Sequence, residues 1–131
     1  MSSGLTYDTG ALIAAERDDR LMWSLHRAAV ARGLPPTVPA GVLAEAWRGG
    51  PQHRLSMLLK GCNIEDLTEA QARRVGALVA TCGLDDTVAV AVAEGAMRRN
   101  DAVVTSNRSH ISQVVSSVGG SVPIQDVLLR G

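Results

Sequence analysis

The run Leu5-Thr6-Tyr7-Asp8-Thr9-Gly10-Ala11-Leu12-Ile13-Ala14-Ala15 constrains this chain more than any other stretch. A short apolar segment ends on an acid, and an Ala/Leu/Ile run of helical character begins straight after Thr9-Gly10. The pattern predicts a β-strand that ends at Asp8 and turns at once into a helix. In open α/β sheets ligands collect just beyond the carboxyl ends of strands, which is where Asp8 falls. Backbone N–H groups at the start of the helix can orient its carboxylate. Two roles are open to Asp8 on this reading, a plain helix cap and a metal ligand.

The rest of the chain repeats the alternation. A polar break at Glu16 to Asp19 lets Asp18 or Asp19 cap a second helix to about Arg32, with Met22, Leu25 and Ala29 on one face and Gly33 closing it. Leu34-Pro35-Pro36-Thr37-Val38 reads as a connector and a short second strand. Pro39 is placed at the first position of a helix running from Ala40 to Arg48, where its missing N–H costs nothing. Gly49-Gly50 ends that helix, and Pro51 starts another to about Lys60. A third strand is expected at Cys62 to Leu67. Thr68 with Gln71 forms a capping-box signature for a helix ending near Cys82-Gly83. Asp85 or Asp86 caps the next helix, Thr87 to about Asn100, with Val88, Ala91, Val92 and Gly95 as its core face. Ala102 to Thr105 is a β-branched fourth strand, Arg108 to Val118 a helix, and Val122 to Ile124 a last strand. Strands alternating with helices predict a single α/β domain with a mostly parallel central sheet of four to five strands, covered by helices on both faces.

Composition narrows the partners. The 131 residues carry 13 basic and 13 acidic side chains, so no global field draws in nucleic acid. Aromatic residues are limited to Tyr7, Trp23 and Trp47, so the core has to be built from Ala, Val, Leu, Ile and Met. Cys62 and Cys82 lack metal-ligand spacing and read as buried free thiols in a reducing compartment. No apolar run is long enough to span a membrane, and no secretory leader pattern opens the chain. The expectation is a soluble cytoplasmic protein.

A mostly parallel sheet sends its strand ends to one edge, and several acids fall near such ends. Asp8 follows strand one, Glu45 lies in the helix after strand two, and Asp85-Asp86 opens the helix before strand four. Thr105-Ser106-Asn107 follows strand four directly. Carboxylates gathered in one cleft repel one another unless a hard cation neutralises them, and Mg²⁺ and Mn²⁺ prefer oxygen ligands. Taken singly, Asp85 and Asp86 also fit a helix cap and a first-turn acid. Glu45 is harder to explain structurally, because its helix is otherwise mainly apolar. His26, His53 and His110 share no ligand spacing and are expected at the surface or in caps. No glycine-rich phosphate loop and no G-x-S-x-G elbow is present.

Three segments, Tyr7-Asp8-Thr9-Gly10-Ala11-Leu12, Val38-Pro39-Ala40-Gly41-Val42-Leu43-Ala44-Glu45-Ala46-Trp47 and Asp101-Ala102-Val103-Val104-Thr105-Ser106-Asn107, stand in this order and at distances that together carry a resemblance. The sequence resembles a PIN domain over essentially its full length, 1–131, and specifically the VapC toxins of bacterial type II toxin–antitoxin pairs. The resemblance implies an endoribonuclease dependent on Mg²⁺ or Mn²⁺. Carried over residue by residue, Asp8 and Glu45 become metal ligands, Asn107 completes the pocket by orienting water or phosphate, and Thr105 is the small polar residue of the last motif. Arg108, Arg48 and Trp47 become candidates for contacting RNA, with Trp47 weighed against a place in the core. The resemblance also implies a homodimer, a cognate VapB-type antitoxin and an RNA substrate of the tRNA or rRNA class.

The departure from the family pattern lies at position 89. The third acid of the family falls here on Ala89, inside Thr87-Val88-Ala89-Val90-Ala91-Val92. Asp85 and Asp86 lie one helical turn back on roughly the same side, and Asp86 is taken as the substitute ligand. The alternative is a PIN-fold module that no longer cuts and acts through its antitoxin complex. A phosphate-binding enzyme of flavodoxin-like topology is a weaker third reading, since the glycine-rich loop is missing.

Overall fold

Short strands do alternate with helices. The computed structural model describes residues 4–129. In chain order these form β1 (Leu5–Tyr7), α1 (Thr9–Glu16), α2 (Arg20–Ala31), β2 (Thr37–Pro39), α3 (Ala40–Ala46) and α4 (His53–Lys60), then β3 (Asn63–Glu65), α5 (Glu69–Cys82), α6 (Thr87–Arg99), β4 (Ala102–Thr105), α7 (Arg108–Ser117) and β5 (Ile124–Asp126). The five strands form one sheet in the order β3-β2-β1-β4-β5, and every neighbouring pair is parallel. The α/β architecture expected from the sequence is therefore the one observed, with the sheet wholly rather than mostly parallel.

Successive side chains of a strand point to opposite faces, and β1 shows both faces covered. Thr6 donates to Asp101, which follows α6, whereas the Tyr7 hydroxyl meets His26 of α2 on the other side. Tyr7, Leu12, Met22, Leu55, Leu58 and Ile111 are fully buried, and each contributes roughly 1.5–3 kcal/mol by leaving water. Tyr7 is the one aromatic ring in that core. Helix α6 is buried on more sides than its expected core face suggested. Ala89, Val90, Val92, Ala93, Glu94, Gly95 and Ala96 are all buried, while Val88 and Ala91 of the expected face are half-buried. Its small residues let it lie close to the sheet. Among the described residues no single helix is long and apolar enough to cross a membrane.

Several boundaries differ for local physical reasons. Pro39 is the last residue of β2 and the N-cap of α3, one position before its expected place. The last strand starts after Pro123, not at Val122, because a proline inside it would leave a ladder bond unmade. Thr68 caps α5 as expected, accepting from the Gln71 backbone N–H. The Gln71 side chain does not complete the box. It is buried and donates instead to Glu65 and Glu94. Trp47 is not core: α3 ends at Ala46, the backbone turns extended at Trp47, and the residue is 41% exposed. His26 is not at the surface but 5% exposed, hydrogen-bonded to Tyr7. Burial, helped by the Arg27 charge, lowers its pKa. Cys62 and Cys82 are free thiols, half-buried rather than fully buried. Burial pushes the Cys62 thiol up to about 12.

Candidate functional site

The strand order reverses between β1 and β4, since the chain leaves β1 toward β2 and β3 on one side and β4 leads to β5 on the other. Crevices at such switch points are where α/β sheets bind ligands. The crevice here is a cleft of about 200 Å³ whose walls include Asp8, Glu45, Asp86, Ala89, Asn107 and His110. Four of the residues singled out from sequence, far apart in the chain, thus meet in one place.

Asp8 is 9% exposed and firmly oriented. Its backbone N–H continues the sheet by donating to the Val104 carbonyl at 2.9 Å. One carboxylate oxygen accepts from the Thr9 N–H at 2.9 Å as the cap of α1. The other accepts from the Thr105 hydroxyl at 2.7 Å. The two readings of Asp8 are therefore compatible, because a cap uses only part of a carboxylate's acceptor capacity. Thr105 in turn accepts from the Asn107 N–H at 2.9 Å, so the turn after β4 is tied to the acid after β1.

The Thr9-Gly10 pair explains itself here. The Thr9 hydroxyl donates to Glu45, linking α1 to α3 across the cleft mouth. Gly10 lies against the turn after β4, where a Cβ would sit 2.0 Å from Ser106 Oγ and 3.0 Å from its backbone N. Only glycine permits that approach without displacing backbone. Glu45 is exposed rather than buried among the apolar residues of its helix, which removes the expected cost of an unpaired charge.

Asp86 lines the cleft, and Asp85 does not. The Asp86 carboxylate also makes two local contacts. Oδ1 accepts from the Ala89 N–H at 3.1 Å as the cap of α6, and Oδ2 faces His110 Nδ1 at 3.6 Å. Among the described residues no three of His, Cys, Asp and Glu gather closely enough to hold an ion together. Asp86 thus reaches the cleft as expected, and its place as a third metal acid still rests on the sequence reading. Ala89, 4% exposed, stands in the cleft wall where a longer side chain would reach inward.

Asn107 is in place, with its side-chain oxygen accepting from the Ser109 hydroxyl at 3.0 Å. The NH₂ group is thereby the part left to meet a ligand. Arg108, expected at the substrate, lies outside this cleft. Its guanidinium is held by Asp126 at 2.8 Å and by the Ile124 carbonyl, because the first residue of α7 faces β5. Arg48 is also drawn away, donating to the Ala44 and Trp47 carbonyls at the end of α3. Among the described residues no Lys or Arg lines the cleft. His110 was missed by sequence reasoning, although it lies one helical turn beyond Asn107 and so on the same face.

The donor set fits a hydrated hard cation. Asp8 and Glu45 offer two carboxylates from neighbouring elements, and Mg²⁺ commonly keeps several waters while bound through one or two carboxylates. The set does not make a closed cage.

Larger depressions exist, but their walls do not converge on chemistry. One of about 470 Å³ includes Arg17, Asp18, Asp19 and Arg20, and a mainly apolar groove of about 300 Å³ runs between α3, β3, α5 and α6. Among known proteins, no family model and no curated sequence matches this chain. Its fold does match a chain in the crystal structure of VapBC2 from Rickettsia felis, bound to a DNA fragment from their promoter. The TM-score is 0.72 with 15% identity, over 94% of this chain and 98% of that one. The fold implied by the PIN-domain resemblance is the fold found.

Proposed function

We infer that this chain is the toxin of a VapBC-type toxin–antitoxin pair, a cytoplasmic endoribonuclease that uses Mg²⁺ or Mn²⁺ and is weakened by Ala89. The observation that carries this reading is that Asp8 and Glu45 line one cleft at the sheet's switch point, joined through Thr9. The shared fold with the VapBC2 chain supports a VapB-type antitoxin as partner. A homodimer and an RNA substrate of the tRNA or rRNA class belong to the same proposal.

Asp8 and Glu45 would hold the cation, which when bound supplies Lewis-acid activation of water and neutralises charge at the scissile phosphate. The Thr9 N–H and Thr105 hydroxyl fix the Asp8 carboxylate, so its orientation need not be set anew when substrate arrives. Asn107 presents its NH₂ as a donor to a phosphate oxygen or to the attacking water. The rival reading, a PIN-fold module that binds without cutting, draws on Ala89 and on the absence of a three-donor cluster among the described residues.

Titration with Mn²⁺ tests the metal assignment. Wild-type protein binds, and Asp8→Ala does not; equal binding by both removes Asp8 as a ligand. Ala89→Asp adds a carboxylate to the cleft and tightens Mn²⁺ binding about tenfold, since affinity follows ligand charge count. It also raises RNA cleavage. A folded Ala89→Asp protein that binds Mn²⁺ but leaves RNA uncut favours the binding module.

A further inference from the structure

We propose that His110, held by Asp86, is the residue of the cleft that faces the RNA phosphate backbone. The proposal rests on the nuclease reading above and assigns a substrate contact that the metal carboxylates cannot make. Asp8, Glu45 and Asp86 make the cleft acidic, and a polyanion does not enter an acidic cleft unaided. A cation on Asp8 and Glu45 neutralises one wall. On the other, among the described residues His110 is the one cleft-lining side chain of a type that can carry positive charge, and its Nδ1 lies 3.6 Å from Asp86 Oδ2.

The pairing sets the ring's orientation. Nδ1 faces the carboxylate, and Nε2, on the opposite edge of the ring, has no partner among the described residues. Nε2 is the ring's free polar atom, and as an N–H it donates a hydrogen bond to an ionised phosphate oxygen. Asn107, one helical turn earlier, offers its NH₂ on the same face, so α7 presents two donors to one backbone. Asp86 is then a positioning residue, with no place in the metal's ligand set. Both side chains are more than a third exposed, which leaves them accessible to a ligand and makes substitution there tolerable for the fold.

The test uses the full chain, a short fluorescein-labelled single-stranded RNA and Ca²⁺ in place of the active metal, with binding read by anisotropy. His110→Ala weakens RNA binding about tenfold, the loss of one charge-assisted hydrogen bond. His110→Arg restores most of it, Asp86→Asn loses a smaller part, and the thermal midpoint of His110→Ala stays at the wild-type value. Mn²⁺ affinity, measured on the same proteins without RNA, is unchanged by His110→Ala. Unchanged RNA binding in His110→Ala overturns the proposal, as does RNA binding too weak to detect in the wild type. A parallel fall in Mn²⁺ affinity also overturns it, because His110 would then act through the metal. Failure of the wild type to bind Mn²⁺, with the His110 effect intact, sinks the nuclease reading and leaves the phosphate contact standing.

Discussion

Two groups of acids lie near opposite ends of helix α6 and are treated in opposite ways. Around Glu94 every carboxylate meets a guanidinium. Glu94 takes hydrogen bonds from Gln71, Arg74 and Arg98, Glu65 takes them from Arg98 and Arg99, and Asp101 takes them from Thr6 and Arg99. At the other end of the helix, Asp8 receives one backbone N–H and one hydroxyl, and Glu45 receives one hydroxyl. The first group is electrostatically finished within the fold. The second is oriented but not neutralised, which is the condition a cation-binding cleft needs and a structural cluster avoids.

Titration follows the same division. Burial alone raises the Glu94 carboxyl, but the hydrogen bonds from Arg98, Arg74 and Gln71 and the Arg98 charge outweigh it and hold it below its usual value. Glu65 is likewise raised by burial and brought below its usual value by Arg98 and Arg99.

Breaking the Arg-rich cluster gives the largest stability effect. Glu94→Ala leaves two guanidinium groups and an amide without their shared acceptor and costs about 3 kcal/mol in urea unfolding, at the low end for buried pairs because the arginine heads are part-exposed. A loss under about 1 kcal/mol would mean the cluster is decoration. Asp8→Asn separates the two groups most cleanly. It keeps the side chain's size and costs about 1 kcal/mol or less, yet abolishes Mn²⁺ binding. A stability loss matching that of Glu94→Ala would erase the contrast.

Acid sharpens it further. A native carboxyl held low contributes stability that is present above its unfolded value and lost as pH falls through the native one. The Glu94 and Glu65 contribution is therefore complete above the ordinary value of 4.5 and disappears below it. Glu94→Gln flattens that fall in a series of urea midpoints, and a slope identical to wild type would contradict the assignment. The smallest effect belongs to Glu69 and Arg73, a helical pair 79% exposed on both sides. Glu69→Ala changes stability by about 0.4 kcal/mol, close to the resolution of the measurement.

Much of this was legible beforehand, and the misses are instructive. The caps Asp8 and Thr68 act within one turn of their own helices, so residue type and spacing were enough to find them. Spacing leaves Asp18 or Asp19 and Asp85 or Asp86 as pairs, from which the structure takes Asp19 and Asp86. Gln71 looked like the return half of a capping box and was instead buried against Glu94, from a different helix. Arg108 looked like a substrate contact because it follows Asn107, yet Asp126 of β5 claims it. His110 looked incidental because its partner Asp86 lies on another helix.

The sequence by itself determined the alternating elements and which acids sit at strand ends, because periodicity and capping are local and repeat every two or 3.6 residues. Tertiary structure alone decided which of those ends meet. The strand order β3-β2-β1-β4-β5 sets Thr9 against Glu45, Gly10 against Ser106 and His110 against Asp86. Those contacts depend on how a parallel sheet is threaded, and no neighbour in the chain encodes them.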